Sequence, residues 1–134
     1  MTDWADCVIL GYGIEIFVKK TIQRIIDNLD DKTEKEFGYR VEPIVIVEDL
    51  GRKTAGLADY FENTIWLNSL YLSKYKKEML YGTLPHEYAH MLCVFRFGLI
   101  GIKRKKYYSH HGKEWKDCMR FLGFEPEIYH NMIL

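Results

Sequence analysis

Proline and cysteine are scarce in this chain, long apolar runs are missing, and there is no net charge. Three prolines among 134 residues, with 48% hydrophobic and 28% charged side chains, exclude a disordered or fibrous polymer and leave a globular one. Cys7, Cys93 and Cys118 are odd in number, far apart and form no Cys-x-x-Cys pair. They argue against a disulfide framework and against a cysteine zinc ribbon, and a reducing cytoplasm is the expected compartment. The longest apolar stretch near the start, residues 8–18, is broken by Gly11, Gly13 and Glu15 and follows Asp3 and Asp6 where a leader would be basic. Neither a signal peptide nor a membrane span is expected. The length suits one core better than two, so a single domain over residues 1–134 is expected.

The zero balance hides an asymmetry. Residues 1–69 hold 8 Lys/Arg and 13 Asp/Glu, while residues 70–134 hold 11 and 6, so the halves carry −5 and +5. Such a split suits either pairing between the halves or attraction of a polyanion to the second one.

Apolar residues at three- and four-residue spacing, Ile14, Val18, Ile22, Ile25, Ile26 and Leu29, predict a first helix, followed by a charged stretch to Glu36 and a stop at Gly38. The β-branched run Ile44-Val45-Ile46-Val47 reads as a central strand covered on both faces. Leu57 to Phe61 and Thr64 to Leu67 read as a hairpin around Glu62-Asn63. Leu72, Tyr75 and Met79 mark a further helix, and Gly82 and Pro85 interrupt it, so that the next helix starts afresh with Thr83 as its N-cap. That helix should end at Gly98, and a last one, Lys113 to Leu122, should stop at Gly123.

The chemistry lies in His86-Glu87-Tyr88-Ala89-His90. Histidines four apart share one helix face and can aim two ring nitrogens at one zinc ion, while Glu87, about 100° around the axis, can take a proton from water in the open coordination position. A catalytic zinc needs a third protein ligand. His111, beyond a loop long enough to return the chain, competes for that place with its neighbour His110.

Three segments then resemble, in order, the SprT-like family of zinc proteases, which includes the Spartan enzymes that degrade proteins crosslinked to DNA. They are Gly56-Leu57-Ala58-Asp59-Tyr60 with Ile65-Trp66-Leu67-Asn68, Leu84-Pro85-His86-Glu87-Tyr88-Ala89-His90, and His111-Gly112-Lys113-Glu114-Trp115 with Met119 and Leu122-Gly123. The resemblance covers roughly the last 80 residues. It implies one zinc ion per chain held by His86, His90 and His111, with Glu87 as general base, and it favours His111 over His110. Pro85 departs from the family's usual helix former, and no cysteine ribbon or DNA-binding tail is expected within residues 1–134.

The expected fold is therefore α+β and zincin-like, with helices packed on a small, mainly antiparallel sheet and the metal helix beneath an edge strand. Ile65, Trp66, Leu67 and Asn68 would form that edge and hold an extended peptide. Lys103, Arg104, Lys105 and Lys106, with Tyr107 and Tyr108, offer charge and aromatic faces to nucleic acid, or else form a solvated loop. Tyr88, Tyr107 or Tyr108 could face a transition-state oxyanion, and Asp59, Glu114 or Asp117 could orient a ligand histidine. Cys93 reads as core and His130 as surface. The expected activity is zinc-dependent hydrolysis of protein or peptide substrates, with DNA a weak partner through the basic loop. The alternatives are a non-enzymatic zinc module that binds nucleic acid or protein, against which Glu87 argues, and a regulatory zincin of another branch, against which His-Gly-x-x-Trp argues.

Overall fold

The apolar stripe Val18, Ile22, Ile25, Ile26 and Leu29 forms the buried face of helix α1 (Ile16–Phe37), which ends where Gly38 takes the left-handed conformation, φ +82°. The structure, a computed structural model, describes residues 8–9, 16–98, 111–128 and 130–134. Strand β1 (Val8–Ile9) precedes α1. After it come β2 (Ile44–Glu48), β3 (Gly56–Asp59), β4 (Thr64–Asn68) and the helices α2 (Ser69–Lys74), α3 (Lys76–Glu78), α4 (Leu84–Phe97) and α5 (Lys113–Leu122). This is an α+β arrangement. No described helix is long and apolar enough to cross a membrane.

The sheet order is β1-β2-β4-β3, with β1·β2 and β2·β4 parallel and only β3·β4 antiparallel. The sheet is thus mixed, and the expectation of a mainly antiparallel one is corrected. Residues 49–55 carry the chain past the position next to β2, so the hairpin brings β4 back into the gap, running the same way as β2. A second correction follows. Ile65, Trp66, Leu67 and Asn68 lie on an inner strand whose backbone is paired on both sides, and the edge belongs to β3.

Asn68 holds this detour closed. Its fully buried side chain donates to the Gly51 and Thr54 carbonyls, each at 2.6 Å, and accepts from Leu70 N at 3.0 Å and Leu50 N at 3.3 Å, which also caps α2. Asn68 therefore serves the loop and helix and offers nothing to a substrate.

Strand β2 is also less enclosed than its β-branched run suggests. Val45 and Val47 are buried while Ile44 and Glu48 are exposed, so one face meets the helices. On the helix side, Val45 aligns with Ile65 and Ala58, and Val47 with Leu67 and Gly56.

The approach to α4 differs from a fresh start at Thr83. Thr83 is helical (φ −64°, ψ −44°) and makes no side-chain cap. A widened turn, Met79–Thr83, joins α3 to α4, with Leu84 N–H reaching back to the Met79 carbonyl. Pro85, in the first turn of α4, has no N–H to return, and the wide turn relieves the crowding its ring causes in a regular helix. Gly98 (φ +80°) and Gly123 (φ +93°) end α4 and α5 as the sequence predicts.

One buried carboxylate joins α1, α4 and the start of β2. Asp30, with no exposed surface, accepts from the Tyr88 hydroxyl at 2.6 Å, from Val41 N at 2.9 Å and from Glu42 N at 3.2 Å. Glu42 has φ +47°, costly for a non-glycine residue, and the Asn63 amide holds the same turn by donating to the Val41 and Glu42 carbonyls. Arg40, beside it, pairs with Asp27, Asp31, Glu34 and Glu42, all from its own half of the chain.

Removing the Asp30 carboxylate leaves one buried hydroxyl and two turn amides without their acceptor. Asp30→Ala should lower unfolding stability by roughly 3–5 kcal/mol, and Asp30→Asn, which keeps one acceptor, by less. Urea unfolding with an unchanged m-value checks the ordering; equal stability of Asp30→Ala and the parent chain would remove Asp30 from this role.

Candidate metal centre

Helix α4 stacks His86 over His90 on one face, and the chain returns so that His111 arrives two residues before α5. Their Nε2 atoms form a nearly equilateral triangle: 3.1 Å between His86 and His111, 3.2 Å between His90 and His111, and 3.3 Å between His86 and His90. Among the described residues these three form the group able to hold a metal ion. Nitrogens bound at about 2.0–2.1 Å to a tetrahedral zinc stand roughly 3.3 Å apart, so the triangle fits that ion and leaves its fourth position open.

The rings are held from behind. Trp115, 1% exposed, donates its indole N–H to the His86 carbonyl at 3.2 Å. Its ring meets those of His86 and His111 at 4.7 and 4.9 Å and stacks on His90 at 5.5 Å. The sequence marked Trp115 only as part of a family segment; its indole is the wall against which all three imidazoles rest. His86 Nδ1 lies 3.2 Å from the Glu127 carbonyl, and donation there leaves the lone pair on Nε2. This orienting contact on His86 comes from backbone. Asp59 instead accepts from Phe61 N and Glu62 N in the hairpin turn.

Burial sets the charge states. It pushes the His86 imidazole down to about 4, helped by the neighbouring His111 and opposed by the Glu127 carbonyl, so His86 is neutral, the ligand form, near pH 7. Burial alone pushes the Glu87 carboxyl, 7% exposed, up to about 8. A bound cation would favour its carboxylate and draw that value down again.

Glu87 and His86 line a cleft of about 960 Å³. Residues 53–56, Tyr81 and Thr83 line it as well, together with residues 124–125, 127–128 and 130–132. That terminal segment carried no expectation beyond a surface His130. It is tied down by Met132, which is buried, and by Ile133, whose carbonyl accepts from Lys74 and Tyr75 at 2.8 Å each. His130 is exposed, lines the cleft and packs edge-on against Tyr71.

Gly56, at the β3 end of the cleft, leaves no room for a side chain. A Cβ there would lie 2.8 Å from Thr83 Cγ2, 3.1 Å from the Trp66 carbonyl and 3.2 Å from Glu87 Cγ. Edge strand and metal helix are thereby in contact. Tyr88 is removed from the oxyanion candidates, because its buried hydroxyl is given to Asp30 and packs at 2.9 Å from Thr33 Oγ1. His110, Lys103, Arg104, Lys105, Lys106, Tyr107 and Tyr108 lie outside the described residues.

The SprT-like family model matches residues 22–131. The chain is 32% identical over 110 residues to Protein SprT of Glaesserella parasuis serovar 5, covering 81% of this chain and 65% of that protein. It is 30% identical over 107 residues to Protein SprT of Klebsiella pneumoniae subsp. pneumoniae, covering 80% and 57%. Against Protein SprT of Actinobacillus succinogenes the identity is 32% over 115 residues, covering 84% and 62%. The chain thus spans about three fifths of the length of these relatives. No solved structure gives a significant match.

The raised Glu87 pKa has a thermodynamic sign. In the metal-free protein the folded carboxyl holds its proton up to about pH 8, whereas the unfolded one releases it near 4.5. Glu87 thus contributes stability below pH 4.5 that is lost as pH rises through 8. Metal-stripped wild type should lose a few kcal/mol relative to Glu87→Gln between those limits, at most about 1.4 kcal/mol per pH unit. Paired denaturation curves across pH in chelator check this, and a difference that does not change with pH would contradict it.

Proposed function

The chain belongs to the SprT-like family, and from that premise we propose that it is a zinc-dependent endopeptidase. The triangle of His86, His90 and His111 nitrogens, 3.1–3.3 Å on a side, carries the reading. These three would hold the ion through Nε2. When bound, zinc supplies Lewis-acid polarisation of a carbonyl and acidifies water.

The chain's own groups do the rest. Glu87, on the same helix and lining the same cleft, takes the proton of the attacking water and passes it to the leaving nitrogen. Its burial excludes bulk solvent from that exchange and would make its carboxylate dependent on a cation held by the histidines. A substrate lies extended along β3, the edge strand in contact with α4 through Gly56. Backbone groups on the outer side of β3 hold its main chain, and residues 124–125, 127–128 and 130–132, which line the same cleft as Gly56, flank it. Trp115 and the Glu127 carbonyl fix the imidazoles while this happens.

Proteins at or crosslinked to DNA are the proposed substrates, supported by the resemblance to the Spartan enzymes and by the +5 charge of residues 70–134. The four basic residues Lys103, Arg104, Lys105 and Lys106 would supply the phosphate contacts.

Glu87→Gln should keep one zinc per chain and lose hydrolysis of an unfolded protein substrate by about 10²–10⁴-fold. His111→Ala should lose the metal, and His110→Ala should keep it. Metal analysis and a proteolysis assay on the same samples decide. Full activity in Glu87→Gln would remove the general base, and zinc retained by His111→Ala but lost from His110→Ala would reassign the third ligand.

A further inference from the structure

His130 lines the same cleft as His86 and Glu87, and the reaction above makes no use of it. Its ring is held in two ways. Nδ1 lies 3.1 Å from the Met132 backbone N, and the ring packs edge-on against Tyr71 with centroids 5.2 Å apart. A backbone N–H can only donate, so Nδ1 supplies the lone pair and the neutral ring carries its proton on Nε2. The segment is fixed on both sides of this residue. The Glu127 carbonyl rests on His86 Nδ1, Met132 is buried, and Ile133 is hydrogen-bonded to Lys74 and Tyr75. The exposed imidazole thus presents an oriented N–H to the cleft, and among the described residues none accepts from it.

Other polar groups of the lining are less suited to hold a ligand. The Tyr75 hydroxyl donates to the Ile133 carbonyl at 2.8 Å and accepts from Ile133 N at 3.0 Å, so it is spent on the segment. Lys53 and Lys77 stand against the carboxyl groups of Glu78, Glu87, Glu125 and Glu127, so the cleft gives an anionic ligand no cationic surroundings. An uncharged acceptor fits there, and an extended peptide offers one at every residue in its main-chain carbonyl. Three residues separate Glu127, at His86, from His130, and such a stretch spans at most roughly 10 Å. The donor is therefore within a few residues of a peptide bound at the metal. Its anchor Tyr71 belongs to α2 and not to the metal helix, which suits a residue flanking the reacting bond.

We propose that His130 is a substrate-binding residue whose Nε2–H donates to a main-chain carbonyl of the bound polypeptide, beside the bond to be cut. The inference rests on the endopeptidase reading and adds to its substrate class. A contact to backbone ignores side-chain identity, so the cleft takes unfolded segments with little regard to their sequence.

Two substitutions separate the outward nitrogen from the inward one. His130→Asn keeps an acceptor for the amide two residues on, as asparagine does in turns, and removes the outward donor. His130→Gln carries an amide N–H out to the reach of Nε2. The probe is fluorescein-labelled β-casein, an unfolded protein. Its binding to the zinc-loaded chain carrying Glu87→Gln is followed by anisotropy, and its hydrolysis is measured with Glu87 intact. His130→Asn should weaken binding roughly three- to tenfold and raise KM by about the same factor, with kcat within about twofold. His130→Gln should restore both. Casein that is bound but never cut by the Glu87 form would overturn the endopeptidase reading, and the binding comparison would still decide on His130. A Glu87→Gln parent that does not bind casein, His130→Asn that binds as that parent does, His130→Gln that binds as weakly as His130→Asn, or a loss in kcat alone would each overturn the proposal.

Discussion

An imidazole Nε2 has a single in-plane valence, so three of them aimed at one another cannot all be satisfied by hydrogen bonds among themselves. The Nε2 atoms of His86, His90 and His111 stand 3.1–3.3 Å apart in this way, a geometry that one shared cation satisfies. Two of the nitrogens come from consecutive turns of α4, and the third comes from a segment 21 residues further on. The rest of the molecule can be understood as the framework that keeps α4 and the start of α5 at that separation. Trp115 fills the space behind the rings, Glu127 offers a carbonyl to one of them, and Asp30 anchors α4 to α1 through Tyr88. A cluster of ligand nitrogens is useful only while it is held rigid, and each of these contacts removes a rotation or a translation.

Placing Glu87 next to the triangle, in a cleft that His86 also lines, imposes a cost on it. A carboxyl that is 7% exposed resists ionisation, and its pKa near 8 expresses that resistance without a cation. The same burial keeps His86 unprotonated. Burial therefore acts in opposite directions on stability and on chemistry: it disfavours the carboxylate in the empty cleft and makes that carboxylate responsive to the charge beside it. Gly56 belongs to this arrangement, because the edge strand approaches Glu87 more closely than any side chain would permit.

Much of the frame is legible in the sequence, for local reasons. The stripe Ile22, Ile26 and Leu29, the glycines ending α1, α4 and α5, and the four-residue histidine spacing are short-range patterns, and short-range geometry decides them. Sheet order is a different kind of information. The run Thr64 to Asn68 announces a strand, but its place between β2 and β3 depends on how far residues 49–55 travel, and hence on the buried Asn68 that closes that loop. The sequence pattern therefore points to an edge one strand too far inward. Asp30 opens a run that looks solvent-facing, and its burial follows from Val41, Glu42 and Tyr88, which lie 11, 12 and 58 positions away. The cleft lining from residues 124–125, 127–128 and 130–132 carries no motif; the position of this segment is fixed by contacts with Tyr71, Lys74 and Tyr75. His111 followed from resemblance, since spacing alone left His110 beside it as a competitor.

Three imidazoles binding one zinc, with its fourth position left to a non-protein ligand, are the central requirement of the proposed chemistry. X-ray absorption at the zinc edge of the purified chain measures this directly. Three nitrogen scatterers with the multiple-scattering pattern of imidazole, and one further light atom, all at about 2.0–2.1 Å, are predicted. A sulfur shell at about 2.3 Å, fewer than three imidazoles, or no zinc retained by the folded chain would contradict it.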